Sequence, residues 1–313
     1  MNQFYRSNSP FFFNSWFHSF WKFSRPHTII GTSLSVLGLY LLTLAATATQ
    51  FTTLHLWQIF LTWLACICGN IYIVGLNQIE DIEIDKINKP HLPIAAGEFT
   101  PGQGRLIVII TGVLAVIFAW LGSPFLLGMV GLSLAIGTAY SSPPIRLKQF
   151  PFWAALCIFS VRGTIVNLGL FFHYSFLWQR VQAIPGAVWA LTIFILVFSF
   201  AIAIFKDIPD MEGDRLYNIT TFTIQMGQQA VFNLAMWVLT ICYGGMILVS
   251  VLGIAKVNTL FVVVTHVITL IFMWWYGAGV DINNKIAIAR YYQFIWKLFF
   301  IEYLVFPIAA ILA

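Results

Sequence analysis

The chain has 313 residues, of which 60% are hydrophobic and only 9% are charged. Soluble domains carry about 25% charged residues, so this composition excludes a soluble globular protein and indicates one that lies mostly in a membrane. The net charge of +5 does not indicate nucleic-acid binding, because the basic residues follow a distribution typical of membrane proteins.

The first 27 residues precede the first long apolar run. Their stretch FFFNSWFHSFWKF at 11–23 is rich in Phe and Trp, which is typical of a helix at the lipid–water interface. We therefore expect an N-terminal interfacial segment at 1–27 and a transmembrane domain at 28–313. Arg25 and His27, in SRPHT, stand at the entry of the first span and are expected mainly as interface anchors.

Nine apolar runs follow, each long enough to cross a bilayer, for which about 18 or more apolar residues are needed. The expected spans are 28–48, 56–76, 105–122, 125–141, 152–173, 186–205, 230–251, 257–277 and 291–312. The predicted fold is an all-α integral membrane protein with nine transmembrane helices in a bundle around a central cavity. Any chemistry must then use helix ends and short loops.

The Lys and Arg residues collect on one side of these spans. Arg180 and Lys256 fall on the opposite side, and Arg162 lies within the fifth span. Because cytoplasmic loops carry an excess of Lys and Arg, we expect the N-terminus in the cytoplasm and the C-terminus outside. The loops at 77–104, 142–151, 206–229 and 278–290 then share the cytoplasmic face.

Most carboxylates lie in two short stretches on that face. Residues 26–79 carry no Lys, Arg, Asp or Glu, yet NQIEDIEID at 77–85 and KDIPDMEGD at 206–214 each carry four acids. A helical phase of about 100° per residue places the Asp residues of each stretch on one face and turns the Glu residues aside. The first row would be Asn77, Asp81 and Asp85, and the second would be Asp207, Asp210 and Asp214.

The two stretches also resemble copies of each other. Asn77, Asp81 and Asp85 correspond to Lys206, Asp210 and Asp214 with a constant offset of 129 residues, and DKI then parallels DRL. This pattern predicts an internal pseudo-repeat, which in membrane proteins places a site at the interface of the two halves.

Rows of Asp near a low dielectric repel each other and require a compensating cation. Mg²⁺ is a hard ion that takes one or two carboxylates, several waters and substrate phosphate oxygens. Two facing rows are therefore expected to hold one Mg²⁺ each around a diphosphate whose hydrocarbon tail lies among the helices. The simpler alternative is two solvated loops that merely end their helices.

The motifs resemble those of a known family. NQIEDIEID fits the Asn-x-x-x-Asp-x-x-x-Asp motif of the UbiA superfamily of intramembrane prenyltransferases. DIPDMEGD at 207–214 resembles the second Asp-rich motif of that family, and YSSPPIRLK at 140–148 resembles the segment between them. The resemblance spans nearly the whole chain.

This resemblance implies roles for individual residues. Asn77, Asp81 and Asp85 would bind one Mg²⁺, and Asp207, Asp210 and Asp214 the other, with Asp81, Asp85, Asp210 and Asp214 as the catalytic acids. The implied substrate-binding residues are Lys89, Tyr140, Arg146, Lys148, Arg162 and Lys206. For the basic residues the alternative is a membrane anchor on the positive side, and for Tyr140 an interfacial Tyr.

Within the superfamily, FWKFSRPHTIIGT at 20–32 and VRGTIVNLGLF at 161–171 are similar to cyanobacterial homogentisate phytyltransferases. That subgroup joins phytyl diphosphate to homogentisate, with loss of CO₂ and diphosphate, in tocopherol biosynthesis. The membrane would be the cyanobacterial thylakoid or plasma membrane. Geranylgeranyl or solanesyl donors, and 4-hydroxybenzoate, naphthoate or chlorophyllide acceptors, remain alternatives.

A membrane transporter is the alternative from a different class. A transporter is expected to carry acids inside its spans, whereas these acids cluster at helix ends. Arg162 is the informative intramembrane charge: it is expected to face the bundle interior and to bind either the acceptor carboxylate or a structural partner.

Overall fold

The computed structural model describes residues 10–180 and 183–313, which form a bundle of α-helices. In chain order these are α1 (Pro10–Phe23), α2 (Pro26–Ala46), α3 (Leu54–Glu80), α4 (Ile82–Asn88), α5 (Pro101–Gly122), α6 (Pro124–Ser141), α7 (Pro151–Phe159), α8 (Val166–Leu177), α9 (Gly186–Phe205), α10 (Met211–Leu216), α11 (Phe222–Met226), α12 (Gln228–Val251), α13 (Thr259–Ala278) and α14 (Lys285–Ile311).

The prediction of nine membrane spans is confirmed for the described part of the chain. Nine helices are long and apolar enough to cross a bilayer, with α7 and α8 joined into a single span at 151–177. The largest difference from the predicted bounds is at α14, which begins at Lys285 rather than at 291. Asn284 caps that helix, accepting hydrogen bonds from the backbone N–H groups of Ile286 and Ala287, and so stabilises the earlier start.

The bundle has a clear centre and periphery. In α9, 67% of the apolar window is buried inside the protein, whereas in α13 the share is 22%. Phe194, Phe198 and Phe205 of α9 are all buried in the main hydrophobic core. Since α9 has the largest buried share of the nine candidate spans and packs against α7, α12 and α14, it forms the centre of the bundle.

Helix α1 lies beside the end of the bundle that carries the Asp-rich stretches. Its Phe23 is fully buried and packs against Phe99, while Trp16, Phe17 and Trp21 remain exposed. This one-sided exposure of large aromatic groups fits the predicted interfacial segment. The interfacial location itself stays a prediction, and residues 1–9 of the predicted segment lie outside the described residues.

The fifth span contains a π-helical turn at Ser160–Ile165, which joins α7 to α8 and includes Arg162. Single π turns inside α-helices occur frequently at functional sites. Gly163 allows this turn to contact α9, because a Cβ atom at that position would lie 2.4 Å from the Cα atom of Leu196.

One acid lies inside a span, apart from the two Asp-rich stretches. Glu302 of α14 is 2% exposed, and its Oε2 atom is 3.4 Å from Nε2 of His266 on α13. A carboxylate buried among helices requires such a partner. The pair therefore links the last two helices, although Oε1 of Glu302 has no hydrogen-bond partner in the described structure.

We expect Gly163→Ala to lower the melting temperature of the purified protein, because the added methyl group would overlap the α9 backbone and overpacking costs about 1–3 kcal/mol. Gly244→Ala is the matched control, since nothing lies within 4 Å of its Cβ position and Ala favours a helix over Gly. Fluorescence-detected thermal unfolding in detergent measures both. Equal melting temperatures would contradict the close contact between the π turn and α9.

Candidate active site

The two Asp-rich stretches meet at one end of the bundle. Each follows a long helix and continues into a short one, α3 into α4 and α9 into α10, and the two short helices contact each other. Five aspartates are at most 9% exposed: Asp81, Asp85, Asp207, Asp210 and Asp214. Buried carboxylates at this density indicate a binding site rather than solvated loops.

The regular helical phase used for the spacing is interrupted in both stretches. The helix breaks at Asp81, whose backbone has φ −116° and ψ 21°, and residues 206–210 form turns. The Asp side chains and Asn77 nevertheless line one cavity, as expected, whereas the Glu side chains do not. Asn77 donates from Nδ2 to Oδ2 of Asp81 at 3.0 Å, so the four-residue spacing still brings these two groups together.

The Glu residues lie apart from the aspartates, with one difference from expectation. Glu83 and Glu212 are exposed. Glu80 is half-buried and accepts a hydrogen bond from the Ser142 hydroxyl at 3.4 Å. Glu80 therefore anchors the loop that follows α6 rather than pointing into solvent.

Asn88 connects the two stretches, and sequence reasoning missed it. Its Oδ1 accepts a hydrogen bond from the backbone N–H of Gly213 at 2.9 Å, and its Nδ2 donates to Asp214 at 3.4 Å. A Cβ atom on Gly213 would lie within 2.7 Å of this amide. The glycine thus permits the close approach of the two short helices.

Basic residues predicted as substrate ligands pair with the aspartates. Lys89 forms an ion pair with Asp210, and Lys206 pairs with Asp207 at 2.7 Å. Asp81 is paired twice, with Arg146 at 3.0 Å and with Lys148 at 2.5 Å. All four cations therefore lie within the cluster of aspartates. Tyr140, at the end of α6, lies beside Lys206.

Two arginines near the first stretch adopt left-handed backbone conformations. Arg25 has φ 53° and Arg146 has φ 39°, a region that non-glycine residues seldom occupy and that often marks functional sites. Arg25 reaches Oδ1 of Asn77 at 3.5 Å, and Arg146 reaches Oδ1 of Asp81. The strained backbones thus direct both guanidinium groups toward the first Asp-rich stretch.

Burial raises the pKa of three of the carboxyl groups, those of Asp85, Asp207 and Asp214. Burial raises the pKa of Asp85 to about 6, although Lys89 opposes the shift. Burial and the neighbouring Asp210 raise the pKa of Asp214 to about 7. A carboxylate in a low dielectric is unstable without a cation, so both groups favour the binding of positive charge.

The donor set fits magnesium. Six oxygen-bearing side chains lie around one cavity: Asn77, Asp81, Asp85, Asp207, Asp210 and Asp214. Oδ2 of Asp85 is buried and has no hydrogen-bond partner in the described structure. Oxygen donors of this kind suit Mg²⁺. Within the described residues no three acidic, His or Cys groups converge on one point, because lysines and arginines hold the carboxylates.

Two neighbouring cavities lie at the end of the bundle that carries the Asp-rich stretches, and some residues line both. The larger has a volume of about 1510 Å³ and is lined by the aspartates, Lys89, Lys148 and Lys206. The smaller, of about 250 Å³, extends among the spans and is lined by Arg162, Cys157 and Tyr303. Residues that line both are Arg25, His27, Asn77, Tyr140, Lys206 and Tyr292. A polar compartment therefore adjoins an intramembrane one.

Arg162 faces the smaller cavity, as expected. Its guanidinium carbon lies 4.7 Å from the ring centroid of Trp296, which is a cation–π contact. Among the described residues no acid forms an ion pair with it. Asn167, by contrast, is a helix contact: it accepts a hydrogen bond from the Tyr303 hydroxyl at 2.8 Å.

We expect the metal-free protein in EDTA to gain stability relative to its Asp214→Asn variant as the pH falls from 8 to 5. The folded-state pKa values of Asp85 and Asp214 are raised, so these two groups bind more protons in the folded protein than in the unfolded chain in this range. Their unfavourable contribution is complete above pH 8 and disappears toward pH 4.

Thermal unfolding of both proteins across this pH range measures the difference between them. Glu212→Gln, at an exposed position, is the control and should follow the unmodified protein at every pH. A difference between the unmodified protein and Asp214→Asn that does not change with pH would contradict the raised pKa of Asp214.

Comparisons with known proteins agree with these features. The profile of the UbiA prenyltransferase family matches residues 36–298. The chain is 51% identical to homogentisate phytyltransferase of Synechocystis over 93% of this chain and 95% of that protein. It is 39% identical to homogentisate phytyltransferase 1, chloroplastic, of Arabidopsis thaliana, over 92% of this chain and 74% of that one.

A solved structure shares the fold. It is a UbiA homologue from Archaeoglobus fulgidus bound to GPP and Mg²⁺, with a TM-score of 0.63 and 15% identity, over 94% of this chain and 99% of that chain. The family profile covers most of this chain, and the relatives match it nearly end to end. This multi-pass membrane protein therefore belongs to the UbiA prenyltransferase family.

Proposed function

We propose that this chain is a Mg²⁺-dependent prenyltransferase that joins phytyl diphosphate to homogentisate, with release of diphosphate and CO₂, in tocopherol biosynthesis. Its relatives in Synechocystis and Arabidopsis carry the name homogentisate phytyltransferase, which supports both substrates. Geranylgeranyl and solanesyl diphosphate remain alternative donors, because the length of the prenyl tail that the enzyme accepts depends on the depth of the cavity.

One observation carries this proposal. A cluster of buried carboxylates and cations adjoins an intramembrane cavity that contains Arg162, an arginine with no ion pair in the described structure. The first compartment suits a metal-bound diphosphate, and the second suits an organic carboxylate among aromatic rings. A condensation of a prenyl diphosphate with an aromatic acid requires both.

In the proposed site the two rows of oxygen ligands hold Mg²⁺, namely Asn77, Asp81 and Asp85 on one side and Asp207, Asp210 and Asp214 on the other. Bound Mg²⁺ supplies positive charge that favours departure of the diphosphate. Four basic side chains then leave their carboxylate partners and bind phosphate oxygens: Lys89, Arg146, Lys148 and Lys206. Tyr140 donates a hydrogen bond to the diphosphate.

Cleavage of the bond between the allylic carbon and the diphosphate oxygen leaves positive charge on the phytyl chain. This charge requires a cavity without water and with aromatic faces. Tyr292, Trp296 and Phe299 line the smaller cavity and provide such faces. Arg162 binds the acetate carboxylate of homogentisate through paired hydrogen bonds, which holds the ring next to the allylic carbon.

We place the polar compartment on the cytoplasmic side of a cyanobacterial thylakoid or plasma membrane. The excess of Lys and Arg at this end of the spans supports that orientation. We also propose that the bundle is built from two related halves, because α3–α4 and α9–α10 repeat one arrangement of a long helix, Asp ligands and a short helix.

The direct test is an assay in membranes that contain the protein. Radiolabelled phytyl and geranylgeranyl diphosphate are each offered with homogentisate, 4-hydroxybenzoate, a dihydroxynaphthoate and chlorophyllide. We expect a labelled product from phytyl diphosphate with homogentisate. Turnover of another acceptor instead of homogentisate would overturn the proposed specificity.

We expect activity to require Mg²⁺, and Asp81→Ala or Asp210→Ala to reduce turnover at least 100-fold, because each removes an oxygen ligand. The same membranes assayed with and without EDTA measure the metal requirement. Glu83→Gln is the matched control, since Glu83 lies in the same stretch but is exposed and pairs only with Lys86. Full activity in EDTA would contradict the metal-dependent mechanism.

We expect Arg162→Gln to raise the KM for homogentisate about 30-fold or more, because loss of a buried charge-assisted pair costs about 2–5 kcal/mol. The KM for phytyl diphosphate should change little. Steady-state kinetics with each substrate varied in turn separate the two effects. An unchanged KM for homogentisate in a well-folded variant would remove Arg162 from the acceptor site.

A further inference from the structure

The proposed function leaves three basic residues of α14 unused: Lys285, Arg290 and Lys297. All three are exposed and line the larger cavity. Among the described residues, none forms an ion pair or a side-chain hydrogen bond with them. By contrast Lys89 and Lys206, which line the same cavity, each pair with an aspartate. The three cations of α14 are therefore free to bind an anion that is not part of the protein.

Lys297 is unusual because it lies within a predicted span and faces outward. It stands six residues after the expected start of the last span at 291, which is about 9 Å along a helix. A phase of about 100° per residue places it on one face with Ile301, Leu304 and Ile308, which are all exposed. Charged residues within spans almost always face the bundle interior or a partner. An outward-facing lysine without a partner at this depth indicates an anion at the boundary of the lipid, which its flexible stem can reach.

An apolar groove runs beside these cations, between α13 and α14. Phe272 and Trp275 of α13 are exposed, and their rings stack with centroids 5.5 Å apart. Phe294 of α14 joins the two helices, because its ring meets that of Phe272 edge-on at 5.5 Å. Ile268 and Ile301 extend the apolar surface, and all five residues line the larger cavity. The groove therefore offers hydrocarbon contacts next to a row of positive charge.

In the described part of the chain, no carboxylate competes for these cations. The acids that line the larger cavity are the five aspartates of the candidate active site. Asp281, in the loop before α14, does not line the cavity and accepts a hydrogen bond from the backbone N–H of Asn283. Glu302 is buried against His266. The positive charge of the groove is therefore left for a ligand.

We propose that this groove binds an anionic glycerophospholipid of the membrane. Its phosphate lies between Arg290 and Lys297, which are seven residues or about 10 Å apart along one face of α14. One acyl chain lies along Phe272 and Ile301. Basic pockets between membrane spans are typical sites for anionic lipid head groups. A lipid in the groove forms part of the wall by which the larger cavity faces the bilayer.

The groove differs from the general excess of positive charge at this end of the bundle. Arg105, at the start of α5, is also exposed and has no ion pair among the described residues, but it lines neither cavity. It shares the charge and the end of the bundle with Lys297, and it lacks the groove. Arg105 therefore provides the matched control for a specific lipid site.

The test measures lipid retention by the purified full chain, without any prenyl diphosphate. Native mass spectrometry from a neutral detergent follows phosphatidylglycerol and phosphatidylcholine with identical acyl chains, offered in equal amounts. We expect the unmodified protein to retain phosphatidylglycerol at least about tenfold better, since each nearby cation strengthens the binding of an anionic lipid about fivefold. Lys297→Gln should lower this retention about fivefold, and Arg290→Gln with Lys297→Gln should reduce it to the level of phosphatidylcholine.

Arg105→Gln removes the same charge at the same end and should keep the full preference for phosphatidylglycerol. The location is measured by cross-linking with phosphatidylglycerol that carries a photoactivatable group on one acyl chain. We expect the label on residues 268–275 and 290–301 of the unmodified protein, and its loss in the double variant. Because the substituted positions are exposed, the melting temperatures of the variants should match that of the unmodified protein.

Three results would overturn the proposal: equal retention of the two lipids by the unmodified protein, a preference for phosphatidylglycerol that persists in the double variant, or a label confined to other helices. The prenyl diphosphate donor also combines an anion with hydrocarbon. If the groove serves that donor instead of a lipid, the two lipids are retained equally, and Lys297→Gln raises the KM for phytyl diphosphate alike in membranes with and without phosphatidylglycerol. Lipid retention is measured without the reaction, so failure of the proposed function would produce none of these results.

Discussion

The compensation of buried carboxylates by neighbouring cations is the constraint on which this structure depends. Removing one partner of a buried ion pair costs about 3–5 kcal/mol, because the other charge is left uncompensated in a low dielectric. The pair of Lys148 with Asp81 is buried in this sense, and the half-buried Lys89 and Lys206 balance the charges of Asp210 and Asp207. When a metal and a diphosphate bind, the carboxylates pair with the metal and the basic side chains pair with the diphosphate. No buried charge is then left without a partner.

The fold brings this cluster together because two long helices, α3 and α9, finish at the same end of the bundle. The helix α3 ends at Glu80 and α9 at Phe205, and a short helix follows each of them. Asn88 and Gly213 fix the contact between the two short helices. The polar end therefore depends on backbone geometry at a few positions, whereas the rest of the bundle depends on apolar packing around α9.

Much of this could be predicted from the sequence, because long apolar runs and dense acids leave little choice of structure. The nine spans and the burial of the Asp rows follow from local patterns. The break at Asp81 could not be predicted, since no proline or glycine marks it. The partners of Asn88, Arg162 and Glu302 lie far away in the chain, and local periodicity carries no information about such contacts.

The π turn at Ser160–Ile165 allows one span to pack against two different sets of helices. An extra residue in one turn rotates every later side chain by about 100° about the helix axis. The first half of the span, α7, packs mainly against α9, while the second half, α8, packs mainly against α2 and α6. A regular helix of the same sequence would present one continuous face to one partner. The π turn thus changes the direction in which the side chains of the span point. Arg162 lies at this change, between the half that packs against α9 and the half that packs against α2 and α6.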